Sequence, residues 1–188
     1  EIQKYYPFAD KKITKYAEPF IGGGAVLFDV LNRYDLSEVY ISDINAELVN
    51  CYWAAQQCVE ELIQALTKMQ DEYLPLNHEK RREYYTEKRV RFNELKNGEK
   101  KKGDIEKAAL MIFLNRTCFN GLFRVNKKGQ FNVPMGAYKN PIICDAQNLR
   151  AVSQKLKAVK IVCGDYKKSE GFVDENTFVY FDPPYLSL

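Results

Sequence analysis

Apolar residues along this chain recur with two periods, one suited to strands and one to helices, and their order predicts the architecture. Tyr16-Ala17-Glu18-Pro19-Phe20 leads into Ile21-Gly22-Gly23-Gly24 and then Ala25-Val26-Leu27-Phe28-Asp29-Val30-Leu31. This reads as a short strand, a glycine turn and an amphipathic helix. Glu38-Val39-Tyr40-Ile41-Ser42-Asp43 is a second strand ending in an acid, and Asn45 caps a helix bearing Leu48, Val49 and Tyr52. The succession predicts a parallel α/β sheet. After about Ala55 the rhythm changes. Residues 59–73 have helical spacing at Leu62, Ile63, Leu66 and Met69, and residues 79–95 form a charged helical stretch. Beyond a Lys-rich loop over 97–103, Asp104 caps a helix carrying Ile105, Ala108, Ala109, Ile112 and Phe113. Residues 123–133 alternate about a Lys-Gly turn and predict a β-hairpin. The α/β rhythm resumes with a helix over 146–156 and strands over 158–163 and 177–181. The expected layout is an α/β sheet domain from residues 1–54 and 146–188, interrupted by a helical and hairpin subdomain at 55–145.

A chain of 188 residues with 46% hydrophobic content can bury a core, as one domain or one domain with an insertion. The net charge of +3 is too mild to diagnose a nucleic-acid partner. Lys80-Arg81-Arg82, Lys88-Arg89-Val90-Arg91 and the run from Lys96 to Lys102 concentrate positive charge in the middle of the chain. Such runs read either as solvated surface or as contacts to DNA. Five scattered cysteines without a C-x-x-C pair, and one histidine, His78, give no metal-ligand pattern. They are expected to be reduced thiols of a cytoplasmic protein. No apolar run spans a bilayer, and no signal peptide opens the chain. The chain opens on Glu and closes soon after its last strand, so both ends read as cuts in something longer.

The run over 177–181 is followed by Asp182-Pro183-Pro184-Tyr185, where ligands bind in a doubly wound sheet, beyond the carboxyl ends of the strands. An exocyclic amine on a flat base is a poor nucleophile because its lone pair is delocalised into the ring. A carboxylate at Asp182 and the carbonyl of Pro183 can accept its two hydrogens and localise that pair. The prolines fix φ and remove competing donors, and Tyr185 offers a stacking face. The same residues also read as a strand followed by a proline turn. Gly22-Gly23-Gly24 lies where a nucleotide-type ligand meets the first strand, and Asp43 ends the second strand, where an acid can bind a ribose diol. Leu27 stands at the third glycine of the dinucleotide fingerprint, so a ligand with a ribose and no pyrophosphate, such as S-adenosylmethionine, fits better than a nicotinamide cofactor. A tight strand–helix turn with a capping acid is the alternative.

Five segments occur in order: Glu18-Pro19-Phe20-Ile21-Gly22-Gly23-Gly24, Asp43-Ile44-Asn45, Asn115-Arg116-Thr117-Cys118-Phe119-Asn120-Gly121-Leu122-Phe123-Arg124, Phe131-Asn132-Val133-Pro134-Met135-Gly136 and Asp182-Pro183-Pro184-Tyr185. Together they resemble the Dam-type, D12-class DNA adenine-N6 methyltransferases along nearly the whole chain. The resemblance implies a Rossmann-like S-adenosylmethionine-dependent sheet with an inserted target-recognition subdomain. It implies direct, in-line methyl transfer to a flipped-out adenine in double-stranded DNA, in the site GATC. By position, Glu18, Phe20, Gly22, Gly24, Asp43, Asp165 and Tyr166 match cofactor-binding residues. Asp182, Pro183 and Tyr185 match the catalytic motif. Phe119, Asn120, Leu122, Arg124, Pro134 and Tyr138 match residues that enter the DNA. Arg124 is expected to bond a guanine, Leu122 and Pro134 to touch a thymine methyl, and Phe119 or Asn120 to fill the gap left by the extruded adenine. Ala137 replaces a basic residue of some relatives. A Lys-Trp-x-Gly-Gly-Lys opening and the elements that normally follow Asp-Pro-Pro-Tyr are absent, so the isolated chain is expected to be an inactive fragment. Related enzymes modify RNA or a protein glutamine, and a DNA- or cofactor-binding fragment without catalysis is a further alternative. A companion restriction endonuclease fits such systems, with no direct binding implied; neither a membrane nor a metal is expected.

Overall fold

The computed structural model describes residues 2–9, 11–96 and 103–184. The Lys-rich run at 97–102 and Tyr185 lie outside them. The chain divides into two compact units, residues 1–49 with 155–188, and residues 50–154. In order, the regular elements are β1 (Lys15–Glu18), α1 (Ala25–Arg33), β2 (Glu38–Asp43), α2 (Ala46–Gln57), α3 (Val59–Tyr73), α4 (His78–Lys96), α5 (Ile105–Thr117), α6 (Ala146–Leu156), β3 (Val159–Cys163) and β4 (Thr177–Val179).

The first unit is built on a four-stranded sheet in the order β3-β2-β1-β4, with every pairing parallel. This is the order of Rossmann-like sheets as far as their fourth strand. Successive strands step outward from β1 to β3, and β4 then returns to the other side of β1, so the order reverses at β1. Parallel strands buried on both faces read as near-continuous apolar runs. Accordingly Tyr16, Ala17, Tyr40 and Ile41 are fully buried. Ala17 and Tyr40 pack with Phe172, Val162 and Val179. Tyr16 lies against Phe178, which also meets Tyr6, between the short 3₁₀ turns Ile2–Tyr5 and Pro7–Ala9, and Phe8 of the second turn. The apolar, β-branched and aromatic run predicts strand as far as Phe181, but β4 ends at Val179. Its register with β1 runs out at the pair Ala17–Val179, and Phe181 turns away to pack against other rings.

The second unit is helical. α5 packs against both α3 and α4, and it buries Ala108, Ala109, Leu110, Phe113, Leu114 and Thr117. A helix apolar on most of its circumference belongs in the middle of such a layer. Tyr73, Tyr84 and Tyr85 of the flanking helices meet Phe113, with Tyr73 edge-on at 5.3 Å and 83°. Asp104 caps α5 by accepting the Lys107 N–H, as its sequence position predicts.

After α5 the chain is irregular, and the predicted hairpin is sparsely paired. Its two limbs share the bridge Val125–Phe131, and a second bridge joins Cys118 to Met135. Helix side chains replace the missing sheet partners. Asn93 Oδ1 accepts the Phe131 N–H at 2.8 Å, while its Nδ2 donates to the Phe131 carbonyl at 3.1 Å. Asn50 makes the same two-way clamp on Asp104, and Gln70 Oε1 accepts from Ile143 and Cys144. Each side-chain amide thus satisfies backbone groups that would otherwise lose water unpaired. All five cysteines are free thiols. Among the described residues no helix is long and apolar enough to cross a membrane.

Candidate functional site

Glu18 ends β1 and is only 3% exposed. Tyr16, two residues earlier and on the same face of the strand, donates its hydroxyl to Glu18 Oε2 at 2.7 Å. The Leu27 N–H in the first turn of α1 donates to the same carboxylate. That bond supplies what the helix itself lacks, because its N-cap is Gly24, which has no side chain to offer. Gly24 sits at φ 72° and ψ 19°, a left-handed conformation that glycine adopts without a Cβ penalty. Burial pushes the Glu18 carboxyl up to about 7; the Tyr16 and Leu27 hydrogen bonds pull it down, and the nearby Asp182 charge adds to the rise.

The glycine loop is tied to β2 at three points. The Ile21 N–H donates to the Ser42 carbonyl, and the Ser42 hydroxyl donates to the Pro19 carbonyl. Asp43 Oδ2 accepts the Gly22 N–H at 3.2 Å, and its Oδ1 accepts the Asn45 N–H at 2.8 Å. Asn45 in turn caps α2, accepting from Glu47 and Leu48. A carboxylate offers about four acceptor sites, so Asp43 retains capacity for a ligand. A Cβ built on Gly22 or Gly23 would meet nothing within 4 Å, so open space lies over the loop. Ile44, between Asp43 and Asn45, is 77% exposed.

At the end of β3 the Gly164 N–H donates to the Asp43 carbonyl, and Asp165 caps the turn Tyr166–Ser169 by accepting the Lys167 N–H. Tyr166 stacks on Phe20 at 5.7 Å and 30°, and Phe181 approaches both rings, at 5.8 Å from Phe20 and 6.1 Å from Tyr166. Residues beyond the carboxyl ends of all four strands therefore converge where the strand order reverses, the position at which open α/β sheets bind ligands. Glu18, Phe20, Gly22, Gly24, Asp43, Asp165 and Tyr166 gather here. Asp182, Pro183 and Pro184 are exposed directly after Phe181.

The remaining predicted residues belong to the second unit. Phe119, Leu122, Arg124, Pro134 and Tyr138 are exposed, as are the neighbouring Phe123 and Val125. Asn120 has φ 53°, a left-handed conformation that Asn tolerates better than most residues. The Phe119 N–H donates to the Pro134 carbonyl, which sets the two predicted contact segments side by side. Arg124 donates from Nε to Asn132 Oδ1 at 2.9 Å and from Nη2 to the Asn132 carbonyl at 3.4 Å. An exposed cluster of large apolar side chains carrying an arginine suits a macromolecular partner.

The family model of the D12 class of N6 adenine-specific DNA methyltransferases matches residues 1–188. The chain belongs to that family. It is 53% identical over 176 residues to the type II methyltransferase M.MjaIII of Methanocaldococcus jannaschii, covering 94% of this chain and 60% of the relative. It is 39% identical over 180 residues to the type II methyltransferase M1.LlaDCHI of Lactococcus lactis subsp. cremoris, covering 95% and 59%. It is 33% identical over 171 residues to the DNA adenine methylase of Escherichia coli K12, covering 91% and 56%. The chain thus spans less than two thirds of the length of these relatives. Within this D12-class chain, sequence reasoning missed Tyr16, which holds Glu18, and Phe181, which joins the ring cluster. Tyr16 carried a signal: a buried acid two residues away on one strand face needs a donor. Phe181 carried none, because its ring partners are distant in sequence.

Proposed function

We propose that the chain supplies the donor-binding and target-contacting parts of an enzyme that methylates N6 of adenine in duplex DNA, from S-adenosylmethionine, at GATC. The observation that carries this reading is the convergence of Glu18, the glycine loop, Asp43 and Asp182 at the reversal of strand order, in a chain of this family. The residues present fit the donor. Open space over Gly22 and Gly23 leaves room for it. Glu18 brings a carboxylate to a cationic ligand, and Asp43 has acceptor capacity for ribose hydroxyls. Phe20, Tyr166 and the exposed Ile44 suit a flat purine, whose amine can donate a hydrogen bond to Asp165. When bound, the donor supplies a methyl group activated by a sulfonium.

On this reading Asp182 and the Pro183 carbonyl accept the two hydrogens of the target amine, so that its lone pair points at the methyl carbon. Asp182 acts as a hydrogen-bond acceptor and need not be a strong base; placement and charge do most of the work. Tyr185 would stack on the target base. In the second unit Arg124 reads a guanine, Leu122 and Pro134 touch a thymine methyl, and Phe119 or Asn120 fills the gap left by the flipped adenine.

The test is transfer of labelled methyl by the enzyme that carries this chain, offered duplex DNA, RNA and protein together. N6-methyladenine in the duplex, with protection from a GATC-cutting nuclease, is the expected product. Label in RNA or in a glutamine side chain would replace the reading with that of the related enzymes.

A further inference from the structure

One face of α4 grips the return limb of the hairpin through its main chain. Lys96 Nζ donates to the Gly129 carbonyl at 2.8 Å, and the Tyr85 hydroxyl donates to the Val133 carbonyl at 2.8 Å. Between these points lies Asn93. It engages both the N–H and the carbonyl of Phe131, and so fixes the register of the limb as well as its distance. A slip by one residue would break both bonds. Its neighbour Phe92, fully buried, meets the Phe131 ring edge-on at 6.1 Å and 89°, so backbone and side chain of Phe131 are held by adjacent residues of one helix.

The grip continues to the predicted base reader. Asn132 follows Phe131; its N–H donates to the Arg124 carbonyl at 3.1 Å, and its side chain and carbonyl hold the Arg124 guanidinium. We infer that Asn93 is a positioning residue for Arg124, acting through Phe131 and Asn132 to set where the guanidinium meets a base. This rests on the reading of Arg124 as a guanine contact. The hairpin gives the inference its force: with one bridge between its limbs and a turn held by Asn126, it shares the setting of its register with α4. A groove of about 410 Å³ lined by Arg89, Asn93, Asn126, Gln130 and Asn132 adjoins the clamp. Water there can replace the amide, so removing it should loosen the limb without unfolding the helices.

The experiment is a double-mutant cycle on methylation kcat/KM, with duplexes carrying GATC or GATC changed at one base pair. Arg124→Ala should lower discrimination at the base pair it reads. Asn93→Ala should lower discrimination at that same base pair by about fivefold or more, leave the other base pairs and the donor KM unchanged, and add nothing in the Arg124→Ala background. A general structural defect would lower activity equally in both backgrounds, and that result, or wild-type discrimination by Asn93→Ala, overturns the inference. If Arg124→Ala itself discriminates like wild type, the reading of Arg124 falls and this inference with it. Where Asn93→Ala does not fold, Asn93→Asp, which keeps the acceptor but sets a carboxylate against the Phe131 carbonyl, is judged by the same outcomes.

Discussion

Replacing Glu18 with Gln tests whether the site holds a strained ionisation. Glu18 is 3% exposed and its carboxyl is raised from 4.5 to about 7, by burial first and by the Asp182 charge in addition, against hydrogen bonds from Tyr16 and Leu27. An acid whose affinity for a proton is higher folded than unfolded stabilises the fold fully below the unfolded value and loses that contribution as pH rises through the folded one. The window therefore runs from about 4.5 to about 7. At about 1.4 kcal/mol per tenfold change in proton affinity, the loss across it is roughly 3 kcal/mol. Gln keeps the size and an acceptor oxygen and cannot ionise. Urea unfolding from about pH 4 to about pH 9 should show wild type losing stability relative to Glu18→Gln by roughly that amount, with the difference levelling off above the window. Parallel stability curves for the two proteins would mean that folding does not raise the proton affinity of Glu18. The same variant should bind the cationic donor more weakly, which would explain why a carboxylate that weakens the fold is kept there.

Gly24→Ala should lower stability by about 1–2 kcal/mol, because an L-residue is strained at φ 72°. Gly23→Ala, where a Cβ meets nothing within 4 Å, should change it by less than about 0.5 kcal/mol while weakening donor binding. Thermal melting and calorimetric titration with S-adenosylmethionine separate the two effects, and equal losses at both positions would contradict this account of the loop. Arg124→Ala should cost about 1–3 kcal/mol of discrimination at one guanine, read from methylation rates on single-base variants, with little change elsewhere in the site.

Local chemistry made much of the fold legible. Val59–Tyr73 and Ala146–Leu156 match their hydrophobic periods, and Asn45 and Asp104 cap the helices that their positions indicate. What depended on partners distant in sequence was not legible. β4 stops where its register with β1 ends, and the turn of Phe181 toward Phe20 and Tyr166 has no local cause. Alternation over 123–133 correctly indicates a reversal, but the clamp that α4 adds to its return limb comes from residues thirty and more positions earlier. Asn93 left a trace: half-buried, it adjoins Phe92, which with Tyr85 forms the narrow buried stripe of an otherwise charged helix, and a half-buried amide needs a partner. In the candidate site, the motif residues that follow strand ends could be placed because the sheet collects strand ends; which of them touch could not.

On the proposed reading Asp182 accepts hydrogen bonds from the target amine while the donor is held by other residues. Single-turnover methyl transfer by Asp182→Ala, with donor affinity and unfolding measured on the same preparation, tests it most directly. Transfer to adenine is expected to be abolished while donor binding and stability stay close to wild type. Near-normal transfer by Asp182→Ala would contradict it.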